Sequence, residues 1–176
     1  MKFIETKIKE LYVVEPGAFK DERGLFARTY CKKEFAQIKF DKEFVQMNLS
    51  VNKIRGTLRG LHYQEAPFEE TKLIRCSSGS VFDVAVDLRK NSETYLSWFG
   101  TYLTKENMRM MLIPGGFAHG FITLEDDSEL IYHHTEYYNP SAERGIRYDD
   151  KTINIQWPAE VSKISDKDNN YPFVKN

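Results

Sequence analysis

SVFDVAVDLR, residues 80–89, is the run whose reading decides the fold. Phe82, Val84, Val86 and Leu88 fall on one side of an extended chain, and Asp83, Ala85 and Asp87 on the other. That two-residue period belongs to a β-strand, whose successive side chains point to opposite faces. Immediately upstream, KLIRC (72–76) leads into it through the turn pair Ser78-Gly79. Earlier still, FVQMNLSV (44–51) and GTLRGLHYQ (56–64) read as strands. So does GLFARTY (24–30), which follows LYVVE (11–15) across the break at Pro16-Gly17. Downstream come WFGTYL (98–103), MRMMLIP (108–114), GFITL (120–124) and ELIYHH (129–134). Turns at Lys105-Glu106-Asn107, Pro114-Gly115-Gly116 and Asp126-Asp127 separate them. CKKEFAQI (31–38) reads as one short helix with Phe35 and Ile38 turned inward. From Asn139 onward the chain is richer in Pro, Asn and Asp and reads as a wrapped segment with little regular structure. Many short strands at regular spacing predict a mainly β protein, a barrel or jelly roll, and exclude a helical bundle.

The 176 residues suit one domain, 1–176, with a sizeable core; no repeat or linker divides them. A net charge of −1 supplies no basic field, so no nucleic-acid partner is expected. No apolar run approaches the roughly 18 residues of a membrane helix, and the opening MKFIETKIKE has no apolar core of a secretory signal. A cytoplasmic protein without membrane contact is the expectation. Cys31 and Cys76 are too few for a disulfide framework or a closed metal site, and neither has the sequence surroundings of an activated thiol. Aromatic residues make up 14%, with 12 Phe and 10 Tyr, which suits pleated surfaces and equally suits stacking on a sugar or a base.

The chemistry is carried by few residues. Of the four histidines, His62 sits beside Arg59 in RGLHYQ, and His119 is delivered into an apolar strand by IPGG. A lone histidine on an apolar strand is more often a hydrogen-bonded core residue than a working one. Arg59 changes that balance, because a permanently charged guanidinium beside glycine and apolar residues calls for an anion. Strict alternation puts Arg59 and His62 on opposite faces, so a shared cavity requires a bulge or twist at Gly60. Tyr132 reads as a core aromatic or a proton donor, Asp168 as a solvated tail carboxylate, and Lys72 as a surface lysine, until other residues assign them work. A metal is not expected: Gln64 occupies the second position after His62, and His133-His134 would point to opposite faces of a strand. No G-x-x-x-x-G-K or G-x-G-x-x-G is present, so neither a phosphate loop nor a Rossmann nicotinamide site is indicated.

Read in order, DERG (21–24), VQMNLS (45–50), TLRGLHYQ (57–64), KLIRCSSGSVFDVAVDLRKNSETY (72–95), IPGGFAHGF (113–121), IYHHTEYYNP (131–140) and INIQWP (153–158) resemble the dTDP-4-dehydrorhamnose 3,5-epimerase family. The resemblance covers essentially the whole chain. It implies a cupin-like jelly-roll β-barrel with one or two short helices, no cofactor, no metal, and a homodimer that exchanges N-terminal strands. It also implies an enzyme that inverts C3 and/or C5 of a nucleoside-diphosphate 4-keto-6-deoxyhexose. His62 corresponds to the general base and Asp168 to the carboxylate that orients it. Tyr132 corresponds to the acid on the opposite face, and Lys72 to the group that stabilises the enolate oxygen. Arg23, Gln46, Asn48 and Arg59 correspond to residues holding the nucleotide and diphosphate, Phe19 and Tyr138 to residues packing on the base or phosphate end, and His119 to a histidine lining the same cavity.

Two departures bear on the substrate. Typical members carry Gly-x-Phe-x-Glu after the arginine, and that glutamate accepts from thymine; here Gly24-Leu25-Phe26-Ala27-Arg28 ends in a pure donor. Arg28 suits the acceptors of cytosine, which makes a CDP-linked sugar an alternative, or it turns away to phosphate or to a partner's carboxylate. Typical members have Tyr-Lys where this chain has Tyr132-His133, leaving open whether C3, C5 or both are inverted. A barrel that binds sugar nucleotides without catalysis is the competing class, and the presence of all four catalytic counterparts counts against it.

Overall fold

A computed structural model describes residues 1–174. Thirteen strands and two short helices follow in the order β1 (Lys2–Glu5), β2 (Tyr12–Glu15), β3 (Ala18–Asp21), β4 (Gly24–Ala27), α1 (Lys32–Phe35), β5 (Gln46–Asn52), β6 (Leu58–Gln64), β7 (Lys72–Ser78), β8 (Ser80–Asp87), β9 (Trp98–Thr104), β10 (Met110–Ile113), β11 (Phe117–Thr123), β12 (Ser128–His134), β13 (Glu143–Gly145) and α2 (Asp166–Asn169). Two antiparallel sheets face each other. One runs β1-β2-β10-β7-β12-β5 and the other β13-β6-β11-β8-β9; β3 and β4 form a separate hairpin.

The strand that decides the fold is also its centre. All eight residues of β8 are buried. Val81 and Ala85 face the interior, with Ile74, Cys76, Met111 and Leu130 from the six-stranded sheet and Phe117 and Phe121 from β11. Phe82, Val84 and Val86 face outward, where the tail lays Ile146, Ile153, Ile155 and Trp157 over them. The predicted alternation is therefore real, but both faces are covered, and Leu88 lies just past the strand end. A third cluster caps the other sheet: Val14, Leu73, Met110 and Leu112 lie under Phe35.

Three expectations change. GLFARTY is a strand only to Ala27. β4 pairs solely with the four residues of β3, and Tyr30 then turns in to place its ring 5.0 Å from Phe35 and 5.1 Å from Phe44. The predicted helix splits into α1 and a 3-10 turn (Ala36–Ile38) that ends where Lys39 takes φ 60°; Phe35 is fully buried and Ile38 partly so. The tail, read as irregular, contributes an edge strand and a helical turn, because covering the outer face of β8 requires it to follow that sheet.

Candidate active site

A cavity of about 280 Å³ opens between the sheets. β6 and β11 supply Arg59, His62, His119 and Phe121 from one sheet, while β5, β7 and β12 supply Asn48, Ser50, Lys72, Tyr132 and His134 from the other. Tyr138 and Glu143 close one side.

Gly60 makes the first wall. The β11–β6 pairing slips register between His119 and Phe121 opposite Arg59-Gly60-Leu61-His62. Gly60 takes φ 117°, and a Cβ there would lie 2.5 Å from Gly120 Cα and 2.7 Å from His119 O, so only glycine fits. The slip turns Leu58 and Leu61 together into the outer core, and Arg59 and His62 together into the cavity. This is the irregularity that strict alternation demanded. Arg59 itself is exposed at the mouth rather than buried. Its Nε donates to Asn52 Oδ1 at 2.7 Å, and no carboxylate among the described residues lies within ion-pair distance, so its charge faces the opening.

Each cavity histidine has a carboxylate. His62 Nε2 donates to Asp168 Oδ1 at 2.7 Å; since a carboxylate only accepts, that bond puts a hydrogen on Nε2, so that in the neutral ring Nδ1 is the nitrogen with the lone pair. Asp168 is brought from the tail by α2, where Ser165 Oγ accepts from its backbone N–H at 3.0 Å. Its Oδ2 accepts from the Gly60 N–H at 3.1 Å, tying the carboxylate to the same glycine. Burial works to raise the Asp168 carboxyl, but the bonds from His62 and Gly60 outweigh it and hold it below the usual range. His119, nearly buried, donates from Nε2 to Asp83 Oδ1 at 2.7 Å; burial pushes its pKa down, with Asp83 opposing.

Facing them, Tyr132 lies with its ring 5.9 Å from that of His119. Burial pushes the phenol well above its ordinary value, and the charge of Asp83 adds to that, against Arg59 and Ser50. The group therefore stays an O–H, a donor in reserve. Lys72 is buried rather than at the surface; its Nζ lies 3.1 Å from Glu70 Oε1 and 3.5 Å from His62 O.

Of the residues singled out in the sequence, His62, Lys72, Tyr132, Asn48, Arg59, His119 and Tyr138 line the cavity, with Asp168 directly behind His62. Gln46 reaches it through Asn48 and the Tyr138 backbone. Phe19, Arg23 and Arg28 do not reach it. Phe19 and Arg23 lie on the exposed hairpin, with Arg23 paired to Asp21, and Arg28 pairs with Glu34 at 2.9 Å. His133 points out of the cavity toward Phe44. Sequence reasoning missed Glu70, Asp83 and His134. Each stands two residues from a strand-borne group of the site or on the interior face of β8, so the two-residue period held the signal. No group of three or more His, Cys, Asp or Glu among the described residues is arranged to hold a metal ion, and no helix among them is long and apolar enough to cross a membrane.

Fold and site together define a cupin-like jelly-roll enzyme with a histidine–carboxylate pair on one wall and a partly buried tyrosine on the other. The family model for dTDP-4-dehydrorhamnose 3,5-epimerase matches residues 5–176. The dTDP-4-dehydrorhamnose 3,5-epimerase of Shigella flexneri is 47% identical over 99% of this chain and 97% of its own. A structure of the dTDP-4-dehydrorhamnose 3,5-epimerase from Bacillus anthracis with TDP and pyrophosphate bound superposes with a TM-score of 0.96 at 41% identity, covering 98% of this chain and 99% of that one. A structure of the dTDP-6-deoxy-D-glucose-3,5-epimerase from Legionella pneumophila in complex with dTDP-4-keto-L-rhamnose gives 0.93 at 40%, covering 98% and 92%. The chain belongs to the dTDP-4-dehydrorhamnose 3,5-epimerase family.

Proposed function

We propose that this protein converts dTDP-4-dehydro-6-deoxyglucose to dTDP-4-dehydrorhamnose by inverting C3 and C5. The observation that carries the reading is the placement of His62, backed by Asp168, and Tyr132 on opposing sheets of one cavity that Lys72 also lines. A C4 ketone acidifies the hydrogens on its neighbouring carbons. His62 Nδ1 takes one of these protons, and the C–H electron pair moves to the C4 oxygen as an enolate. Lys72 offers its charge to that oxygen. Tyr132 returns a proton to the carbon from the opposite face, which inverts the centre, and solvent resets both groups. One proton leaves and one arrives, so the step balances without a redox cofactor. Arg59, open at the mouth, suits the diphosphate.

A homodimer completes the reading. The outward row of β5, Met47 (66% exposed), Leu49 and Val51, leaves apolar surface at a sheet edge, and Phe19 and Phe26 stand 76% and 73% exposed on the hairpin. A second copy covering these surfaces accounts for both, and it gives the hairpin's Phe19 and Arg23, which the chain's own cavity does not use, a substrate to meet in the partner. Arg28 is engaged by Glu34 in its own chain, so nothing favours a cytosine-reading role and the dTDP sugar is the substrate we propose. The test incubates the protein in deuterium oxide with dTDP- and CDP-linked 4-keto-6-deoxyglucose and follows C3 and C5 by NMR. Label entering both carbons of the dTDP sugar is the expected result. Label in one carbon alone makes it a single-centre enzyme, label only in the CDP sugar moves the substrate, and no label in either leaves a binding protein.

A further inference from the structure

Glu70 and His134 have no place in the steps above, yet both are largely buried in the cavity wall, and they join its two ends. The join has a direction that can be worked out. The backbone N–H of Tyr138, which can only donate, meets Gln46 Oε1 at 3.1 Å. That orients the Gln46 amide, whose Nε2 donates to Asn48 Oδ1 at 3.4 Å. Asn48 is thereby oriented too, and its Nδ2, a donor, faces His134 Nε2 at 3.3 Å. Nε2 must accept, so Nδ1 carries the hydrogen and donates to Glu70 Oε2 at 2.6 Å. The other Glu70 oxygen lies 3.1 Å from Lys72 Nζ. A single line of bonds thus runs from the side chains that would take the nucleotide to the lysine that would take the enolate.

Resting on the epimerase reading, we propose that Glu70 and His134 are positioning residues. They divide the Glu70 carboxylate between His134 and Lys72, so that Lys72 keeps charge free for the C4 oxygen, and they link that division to occupancy of the nucleotide end through Asn48. A substrate that draws on the Asn48 amide changes what His134 Nε2 faces, and through Glu70 it changes how firmly Lys72 is held. Without His134 the whole carboxylate falls to Lys72 and blunts it.

Two readouts test this in the full-length protein. In protein labelled with 15N-histidine, His134 should show hydrogen on Nδ1 and a lone pair on Nε2. Adding dTDP should shift its Nε2 signal, and Asn48→Ala should abolish that shift. Hydrogen on Nε2 instead, or a His134 signal indifferent to dTDP, overturns the proposal whatever the protein turns over. In kinetics, His134→Phe keeps the ring that stacks on Tyr132 (5.9 Å, 10° between planes) but removes both nitrogens. It should lower kcat by about tenfold or more with KM within about threefold. Adding Glu70→Gln to that variant should recover most of the loss, because it removes the charge that blunts Lys72, a recovery that a packing role does not produce. Full activity in His134→Phe, or a double variant no better than the single one, contradicts the proposal. A wild type that binds dTDP but exchanges no sugar proton overturns the epimerase reading instead, and the histidine signals still decide the link.

Discussion

Asp168→Asn separates the orienting role of the carboxylate from its volume. Asp168 accepts two bonds, from His62 Nε2 at 2.7 Å and from the Gly60 N–H at 3.1 Å, and its side chain is 6% exposed. Asparagine has one accepting oxygen and a donor-only nitrogen, so it cannot satisfy both. If the oxygen stays with Gly60, the amide nitrogen faces His62 Nε2, which must then accept. The ring hydrogen moves to Nδ1, and the base loses the lone pair it would use. The charge-assisted bond alone is worth about 1.5–3 kcal/mol, or roughly 10- to 100-fold in rate. Loss of the base tautomer carries the effect further into the ~10²–10⁴ range of general-base catalysis, so a fall of about 10²–10³ in kcat is expected. The fold should tolerate the change near neutral pH at the cost of the same bond. The folded carboxyl is depressed, so its contribution is present above the unfolded value of ~3.9 and is lost as pH falls through the folded value; the variant should lack that part of the acid sensitivity. The assay is deuterium exchange at the sugar carbons, with thermal unfolding as the control. A folded variant keeping half the wild-type rate would refute the orienting role.

Gly60→Ala should cost several kcal/mol or prevent folding, because φ 117° and the backbone atoms of His119 and Gly120 leave no room for a methyl group; a melting temperature within about 2 °C of wild type would remove that reading. Asp87 is buried and takes bonds from Arg89, Ser92 and Thr94. Burial would raise its carboxyl, but those bonds overcome it and hold it at about 2. The stabilisation is therefore complete above about pH 4 and fades as pH falls toward 2, so Asp87→Asn should lower stability by about 2 kcal/mol at pH 7, with the difference shrinking in acid, as followed by urea titration at several pH values. Burial also pushes the Cys76 thiol up to about 11, so a thiol reagent at pH 8 should spare it in the native protein and label it after denaturation; prompt native labelling at Cys76 would contradict its burial.

The fold was legible because its strands are short, apolar and regularly punctuated. The run at 80–89 showed its two faces, although a single chain segment cannot show that the tail covers one of them, since Ile153 and Trp157 lie some seventy residues away. The helix was legible from the inward spacing of Phe35 and Ile38. GLFARTY overran because β propensity continues past Ala27, whereas strand length is set by the partner β3, which sequence spacing does not reveal. At the site, the Gly60 irregularity could be required but not located in detail. Asp168 was assigned by resemblance alone, because a polar tail gives no physical hint that one carboxylate will fold back 106 residues onto a histidine. Glu70 and His134 were missed for a different reason. His134 was read beside its immediate neighbour His133, and Glu70 precedes the strand that carries Lys72; the informative neighbour in extended chain is two residues away, Lys72 for Glu70 and Tyr132 for His134.

The central claim is that His62 and Tyr132 handle protons on opposite faces of one substrate. Its most direct test is to follow exchange and inversion separately, by NMR in deuterium oxide, for wild type, His62→Ala and Tyr132→Phe on dTDP-4-dehydro-6-deoxyglucose. Opposite-face transfer predicts that wild type labels and inverts, that His62→Ala does neither, and that Tyr132→Phe still labels the carbon through His62 while inversion falls by about 10² or more. Inversion at close to the wild-type rate without the tyrosine hydroxyl, or exchange that survives without His62, would contradict it.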